Sequence, residues 1–165
     1  MPLGKVSVTI VDTDKNTALE LVNEVSKLRE FDSDICWALF DKDGYTKHAN
    51  AFSNARDKKV KIGFSSISFE YWLLIHLHYT TKPYLKSDDL IRNEFLNINE
   101  LKDYNKENKR IYYNLKEKLN TAIKNAKKIR KHQQKCSPHN SKIYNWNQYT
   151  DLDLLVEEIK SLEER

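Results

Sequence analysis

Three acidic side chains are spaced so that they could act together. Asp41 and Asp43 stand in Asp41-Lys42-Asp43-Gly44, directly after the apolar run Ile35 to Phe40. Such a run bounded by turn residues reads as a buried strand, which places both acids at its carboxyl end. Open α/β sheets put ligands and chemistry there. Two carboxylates one residue apart repel unless a positive charge lies between them or water screens them. A hard divalent cation such as Mg²⁺ is the natural partner. The third acid, Glu70, opens Phe69-Glu70-Tyr71-Trp72-Leu73-Leu74-Ile75-His76-Leu77, an apolar helical pattern whose dipole favours a first-turn carboxylate. If its strand neighbours the first, all three acids share one sheet edge. Plainer readings stand beside this one: Asp-Lys-Asp-Gly is a good turn sequence, and Glu70 could be a capping acid. His76 reads better as a packed helix residue than as an acid or base.

The positioning elements follow from periodicity. Lys5 to Val11 alternates like a strand, and Asn16 to Arg29 carries Ala18, Leu21, Val22, Val25 and Leu28 at helical steps. Thr46 to Lys59 reads as a helix turning Ala49, Phe52 and Ala55 inward. Val60 to Phe64 reads as a third strand, with Ser66 or Ser68 as N-cap of the next helix. The first half is therefore βαβαβα with three parallel strands. Beyond it, Ser87-Asp88-Asp89 caps a helix through Leu96. Lys109 to His132 is the longest helical pattern, striped by Ile111, Tyr112, Leu115, Leu119, Ala122, Ile123, Ala126 and Ile129. Cys136 to Thr150 is a polar, aromatic-dotted loop, and Asp151 to Leu162 a closing helix.

The chain has 165 residues, 39% hydrophobic and 32% charged, which suits a single domain with a real core. Two cysteines make no disulfide framework, so a reducing compartment is expected. There is no apolar leader and no run of membrane-spanning length. The expectation is a cytoplasmic protein that does not engage a membrane.

The net charge of +4 matters less than its distribution. Lys109, Arg110, Lys124, Lys127, Lys128, Arg130 and Lys131 crowd the long helical segment, and Tyr112 and Tyr113 lie within it. Cations neutralise phosphates and aromatics stack on bases, so DNA or RNA is the expected partner. The bland alternative is a solvated lysine face with tyrosines packed on the core. His132, Cys136 and His139 offer three zinc ligands but no fourth, which argues against that metal.

Phe40-Asp41-Lys42-Asp43, Ser65 to His76, Asn125-Ala126 in a basic helix, and Asp151 to Val156 together resemble the RloB-like proteins, over nearly the whole chain. That family is related to the Toprim fold and occurs in bacterial defence and restriction neighbourhoods. The resemblance implies an α/β, small Toprim-like (Rossmann-like) three-layer domain. Residues 1–165 would form it, with a βαβαβα metal-site core at 1–78, a short parallel sheet, and a helical part at 79–165. It implies a Mg²⁺- or Mn²⁺-dependent nuclease or nucleic-acid-processing domain in antiphage defence. Asp41 and Asp43 match the Asp-x-Asp pair and Glu70 the acid of Phe-Glu-x-Trp; these are the expected catalytic and metal residues. Metal on them would orient a water and stabilise charge on a phosphate, while Lys42, Ser66 and Ser68 would contact phosphate oxygens. One departure stands out. The family's first strand ends in a glutamate, whereas here the first strand ends in Asp12-Thr13-Asp14. Either Asp12 or Asp14 replaces it, Asp12 then joining the metal ligands, or the chain is a shortened member. The alternative function is a catalytically silent module that binds nucleic acid or a protein partner in a defence complex. The exposed edge of a small sheet also suits pairing with a second copy.

Overall fold

The computed structural model describes residues 7–108 and 110–163. Its first regular element is helix α1 (Ala18–Lys27). Thr17 and Glu20 close a reciprocal capping box on it: the Glu20 N–H donates to Thr17 Oγ1 at 3.4 Å, and the Thr17 N–H to Glu20 Oε2 at 3.2 Å. Strand β1 (Trp37–Asp41), helix α2 (His48–Asp57), strand β2 (Lys61–Ser66) and helix α3 (Phe69–Leu74) follow. The Lys61 N–H donates to the Cys36 carbonyl and the Lys42 N–H to the Ser65 carbonyl. The paired residues advance together along both strands, so β1 and β2 run parallel, as expected. Gly44, at φ +70°, ends the excursion after β1 in the left-handed region that glycine enters without penalty.

Helix α4 (Ser87–Asn93), helix α5 (Arg110–Leu115), helix α6 (Leu119–Cys136), strand β3 (Tyr149–Thr150) and helix α7 (Leu152–Glu163) complete the described elements, with short 3₁₀ turns between some of them. The strand order is β1-β2-β3, and β3 pairs antiparallel to β2 through Ser65–Thr150 and Ser66–Tyr149. The chain is thus mixed α/β with one parallel strand pair.

Contacts gather into two compact units. The first takes residues up to Phe40, Tyr45–Gly63 and the segment from Leu152. Its core is Val22, Cys36, Ala38, Ala55 and Val60, with Leu21, Val25, Phe40 and Ile62 packed against them. The Arg29 guanidinium donates to the Lys58 and Lys59 carbonyls at 3.1 and 2.8 Å, satisfying the end of α2. Glu158 of α7 accepts from the Trp37 indole at 2.6 Å and from Lys61 at 2.5 Å. The second unit takes Asp41–Gly44 and Phe64–Asp151, and buries Phe64, Tyr71, Leu74, Ile75, Leu90, Phe95 and Ile129.

Four sequence expectations are corrected. Residues 7–11 form no strand, and Val8 and Ile10 are 62% and 92% exposed; Lys5 and Val6 lie outside the described residues. A strand needs a partner as well as alternation, and the third place in the sheet goes to Tyr149–Thr150. The sheet is therefore mixed rather than all parallel. Helix α2 turns His48, Ala51 and Ala55 inward, not Ala49. The long basic helix is divided by a 3₁₀ turn at Lys116–Lys118. Leu115 and Ala122, seven residues apart on either side of it, are both buried, so the periodicity is the same with or without the break.

The β2–β3 pairing depends on Asp151. Its carboxylate accepts from the Phe64 N–H at 2.6 Å and the Tyr149 hydroxyl at 3.0 Å, while its own N–H donates to the Phe64 carbonyl. Asp151→Ala leaves a buried N–H unpaired and is expected to cost about 2–3 kcal/mol in a urea titration. Asp151→Asn keeps an acceptor and should lose distinctly less.

Candidate active site

Asp41, Lys42, Asp43, Ser66, Ser68 and Glu70 all fall in the second unit. Parallel pairing sets their arrangement. Beyond β1 the ladder continues, with the Lys42 N–H donating to Ser65 and the Asp43 N–H to Ile67. The two aspartates are therefore held beside the segment that leads into α3. The Phe69 N–H at the start of α3 donates to Asp41 Oδ2 at 3.3 Å.

The three acids differ in exposure. Asp43 is exposed, Asp41 half-buried, and Glu70 only 2% exposed. Burial raises the Asp41 pKa; the Phe69 N–H opposes that rise, the charges of Asp43 and Glu70 add to it, and Lys106 opposes it. Glu70 tolerates burial because it has partners. The Tyr104 hydroxyl donates to Glu70 Oε1 at 2.9 Å, and the Lys106 ammonium lies 3.8 Å from the same oxygen. Burial and Glu70 push the Tyr104 phenol pKa upward, so it remains a donor. Tyr104 packs edge-on against buried Phe95 at 5.1 Å between centroids, which fixes its ring.

The polar residues expected to meet phosphate have other work. Lys42 lies 3.5 and 3.4 Å from the Asn145 and Trp146 carbonyls, and burial lowers its pKa. Ser66 Oγ donates to the Trp146 carbonyl at 2.7 Å. Ser68 is different: it precedes α3 in extended conformation, its side chain makes no cap, and its buried Oγ has no hydrogen-bond partner. Such an orphan is rare and calls for an explanation. His76 is buried, with Nδ1 2.9 Å from the Trp72 carbonyl and its ring 4.9 Å from Trp72. Burial lowers its pKa, in keeping with a packed helix residue.

Asp12 is exposed in the irregular segment before α1 and belongs to the first unit, as does Asp14, whose carboxylate lies 3.0 Å from Lys15. Among the described residues, no group of three or more His, Cys, Asp or Glu side chains is close enough to hold a metal ion unaided. The donors still suit Mg²⁺, which takes one or two carboxylates and completes its shell with water and substrate phosphate. Asp41 and Asp43 are the carboxylates at the end of β1, and Ser68, whose Oγ is unused, lies between Ile67 and Phe69, the residues whose backbones bond Asp43 and Asp41.

The model of the RloB-like protein family matches residues 3–159. The chain belongs to that family. No curated protein and no solved structure matches it. For this RloB-like chain, no helix among the described residues is long and apolar enough to cross a membrane.

On α5 and α6, Arg110, Lys124, Lys127, Lys128 and Lys131 are exposed; Lys109 lies outside the described residues. Arg130 is half-buried and donates to the Thr150 carbonyl at 3.1 Å, so it serves the fold. The residues of the candidate site without a sequence signal are Tyr104 and Lys106. Both lie in a segment without periodicity, and only the tertiary fold brings them to Glu70.

Tyr104→Phe removes the hydrogen bond to a buried carboxylate and is expected to cost about 2 kcal/mol in a urea titration. Lys106→Ala, removing an exposed ammonium, should cost under about 1 kcal/mol.

Proposed function

We propose that this RloB-like protein is a Toprim-like, metal-dependent domain that processes nucleic-acid phosphodiesters in bacterial antiphage defence. One observation carries the reading: a half-buried carboxylate, Asp41, disfavoured in its charged form by burial and by the adjacent Asp43 and Glu70. A site that concentrates negative charge this way gains from a divalent cation, and carboxylates with a raised pKa are found at functional sites. Asp41 and Asp43 would hold Mg²⁺ or Mn²⁺, which when bound supplies charge stabilisation at phosphate and an activated water. Glu70, held by Tyr104 and Lys106, would add to the negative potential that draws a cation. The exposed cations of α5 and α6 would carry the phosphate backbone.

A second reading, binding without cleavage, is favoured by the position of Asp12 and Asp14. Both lie on an exposed irregular segment, and Asp14 is paired to Lys15. Neither is presented by a strand end, as a general base replacing the family's glutamate would be.

The test incubates the protein with supercoiled plasmid, single-stranded DNA and tRNA in Mg²⁺, Mn²⁺ or EDTA, beside Asp41→Ala. Metal-dependent cleavage abolished by the substitution is expected. Asp41 must be ionised to hold metal and its pKa is raised, so activity should fall on acidification at a higher pH than an ordinary aspartate would give. Protein that binds Mn²⁺ and all three substrates yet leaves each intact would establish the silent module instead.

A further inference from the structure

The sequence left open whether Tyr112 and Tyr113 pack inward. The structure turns both outward: they are 64% and 67% exposed, whereas Leu115 of the same short helix is buried. Two adjacent large aromatics in water are an unusual use of a helix surface, and neither closes over the core. Their rings meet edge-to-face, with centroids 5.4 Å apart and planes at 74°. The ammonium of Lys116 lies over the Tyr113 ring at 5.8 Å and also 4.0 Å from Glu117. Arg110 and Lys118 are exposed on either side, so Glu117 is the only acid among the residues from 110 to 118. Three other aromatics of this half behave differently: Tyr149 is buried in the sheet, Trp146 is half-buried against it at 5.4 Å, and Tyr104 is committed to Glu70.

We infer that Tyr112 and Tyr113, flanked by Arg110, Lys116 and Lys118, form a stacking platform for the unpaired bases of a single-stranded nucleic acid. The inference rests on the nucleic-acid reading above and narrows it. Lysines alone neutralise the phosphates of duplex and single strand alike. Exposed rings add a gain only where a base face is free, because paired bases are already stacked on each other. The edge-to-face geometry leaves a ring face available for an incoming base, and the cations on both sides match the phosphates that flank that base. Exposed tyrosines also anchor protein interfaces, but a cationic collar with one acid suits a polyanion better than an ordinary protein surface.

The experiment measures fluorescence anisotropy of the full chain in EDTA, so that neither metal nor cleavage contributes. The probes are labelled oligothymidylate of about 15 nucleotides, an abasic oligonucleotide of the same length and charge, a duplex of that length, and an oligoglutamate. The variants are Tyr112→Ala/Tyr113→Ala and Tyr112→Phe/Tyr113→Phe. Both positions are exposed, and circular dichroism confirms that each variant is folded. Oligothymidylate should bind the wild type about tenfold more tightly than the abasic strand. The alanine pair should erase that difference and the phenylalanine pair should keep it, since stacking needs the ring and not the hydroxyl. Equal binding of the base-bearing and abasic strands, preference for duplex, an alanine pair that binds like wild type, or binding of oligoglutamate alone would each overturn the platform. The metal-site reading is scored separately by Asp41→Ala in the cleavage assay. Duplex cleavage with no platform, or a platform with no cleavage, tells the two failures apart.

Discussion

Burial of one carboxylate, with two others near it, is the constraint on which the candidate site depends. Asp41 is half-buried; burial and the charges of Asp43 and Glu70 raise its pKa, while the Phe69 N–H and Lys106 lower it. Retaining Asp41 costs stability at neutral pH: its pKa is raised on folding, so the ionised form is disfavoured in the folded state once pH exceeds the unfolded value. Such a trade of stability for a poised charge would suit the proposed metal site.

The surroundings show how the cost is kept tolerable. Glu70 is the most buried of the acids and the best supported, by a phenol held against Phe95 and by a lysine. Asp43 is left in water, where its charge is screened. The parallel pairing of β1 and β2 brings the aspartates beside the entry to α3, and the Asp151 network secures β2 from its other edge. The backbone thus fixes where the charges sit, and side chains from distant segments decide how much each is compensated.

Much of this was legible in the sequence, for definable reasons. Apolar runs stopped by turn residues marked β1, β2 and α3, and with them the three acids, because burial and turn chemistry are local signals. Pairing is not local. Ser7 to Val11 alternates well and finds no partner, while Tyr149–Thr150, too short to show any period, takes a place in the sheet. Tyr104 and Lys106 carry no pattern that links them to Glu70. Arg130 looked like its basic neighbours and instead ties α6 to the Thr150 carbonyl. The direction in which Tyr112 faces was also beyond periodicity, since a 3₁₀ turn follows it and the stripe through Leu115 and Ala122 stays in step.

Under the proposed function a bound cation would relieve the penalty on the Asp41 charge, and paired thermal melts read that relief out. Wild type and Asp41→Asn would be melted at neutral pH, in EDTA and in Mg²⁺. In EDTA the asparagine variant, which still accepts from the Phe69 N–H but carries no charge, should melt higher by roughly 2–4 °C for each kcal/mol of burial and repulsion penalty relieved. Mg²⁺ should then raise the melting temperature of wild type and leave the variant where it was. A variant that melts lower than wild type in EDTA, with Mg²⁺ shifting neither protein, would contradict the account and reduce Asp41 to a structural turn residue.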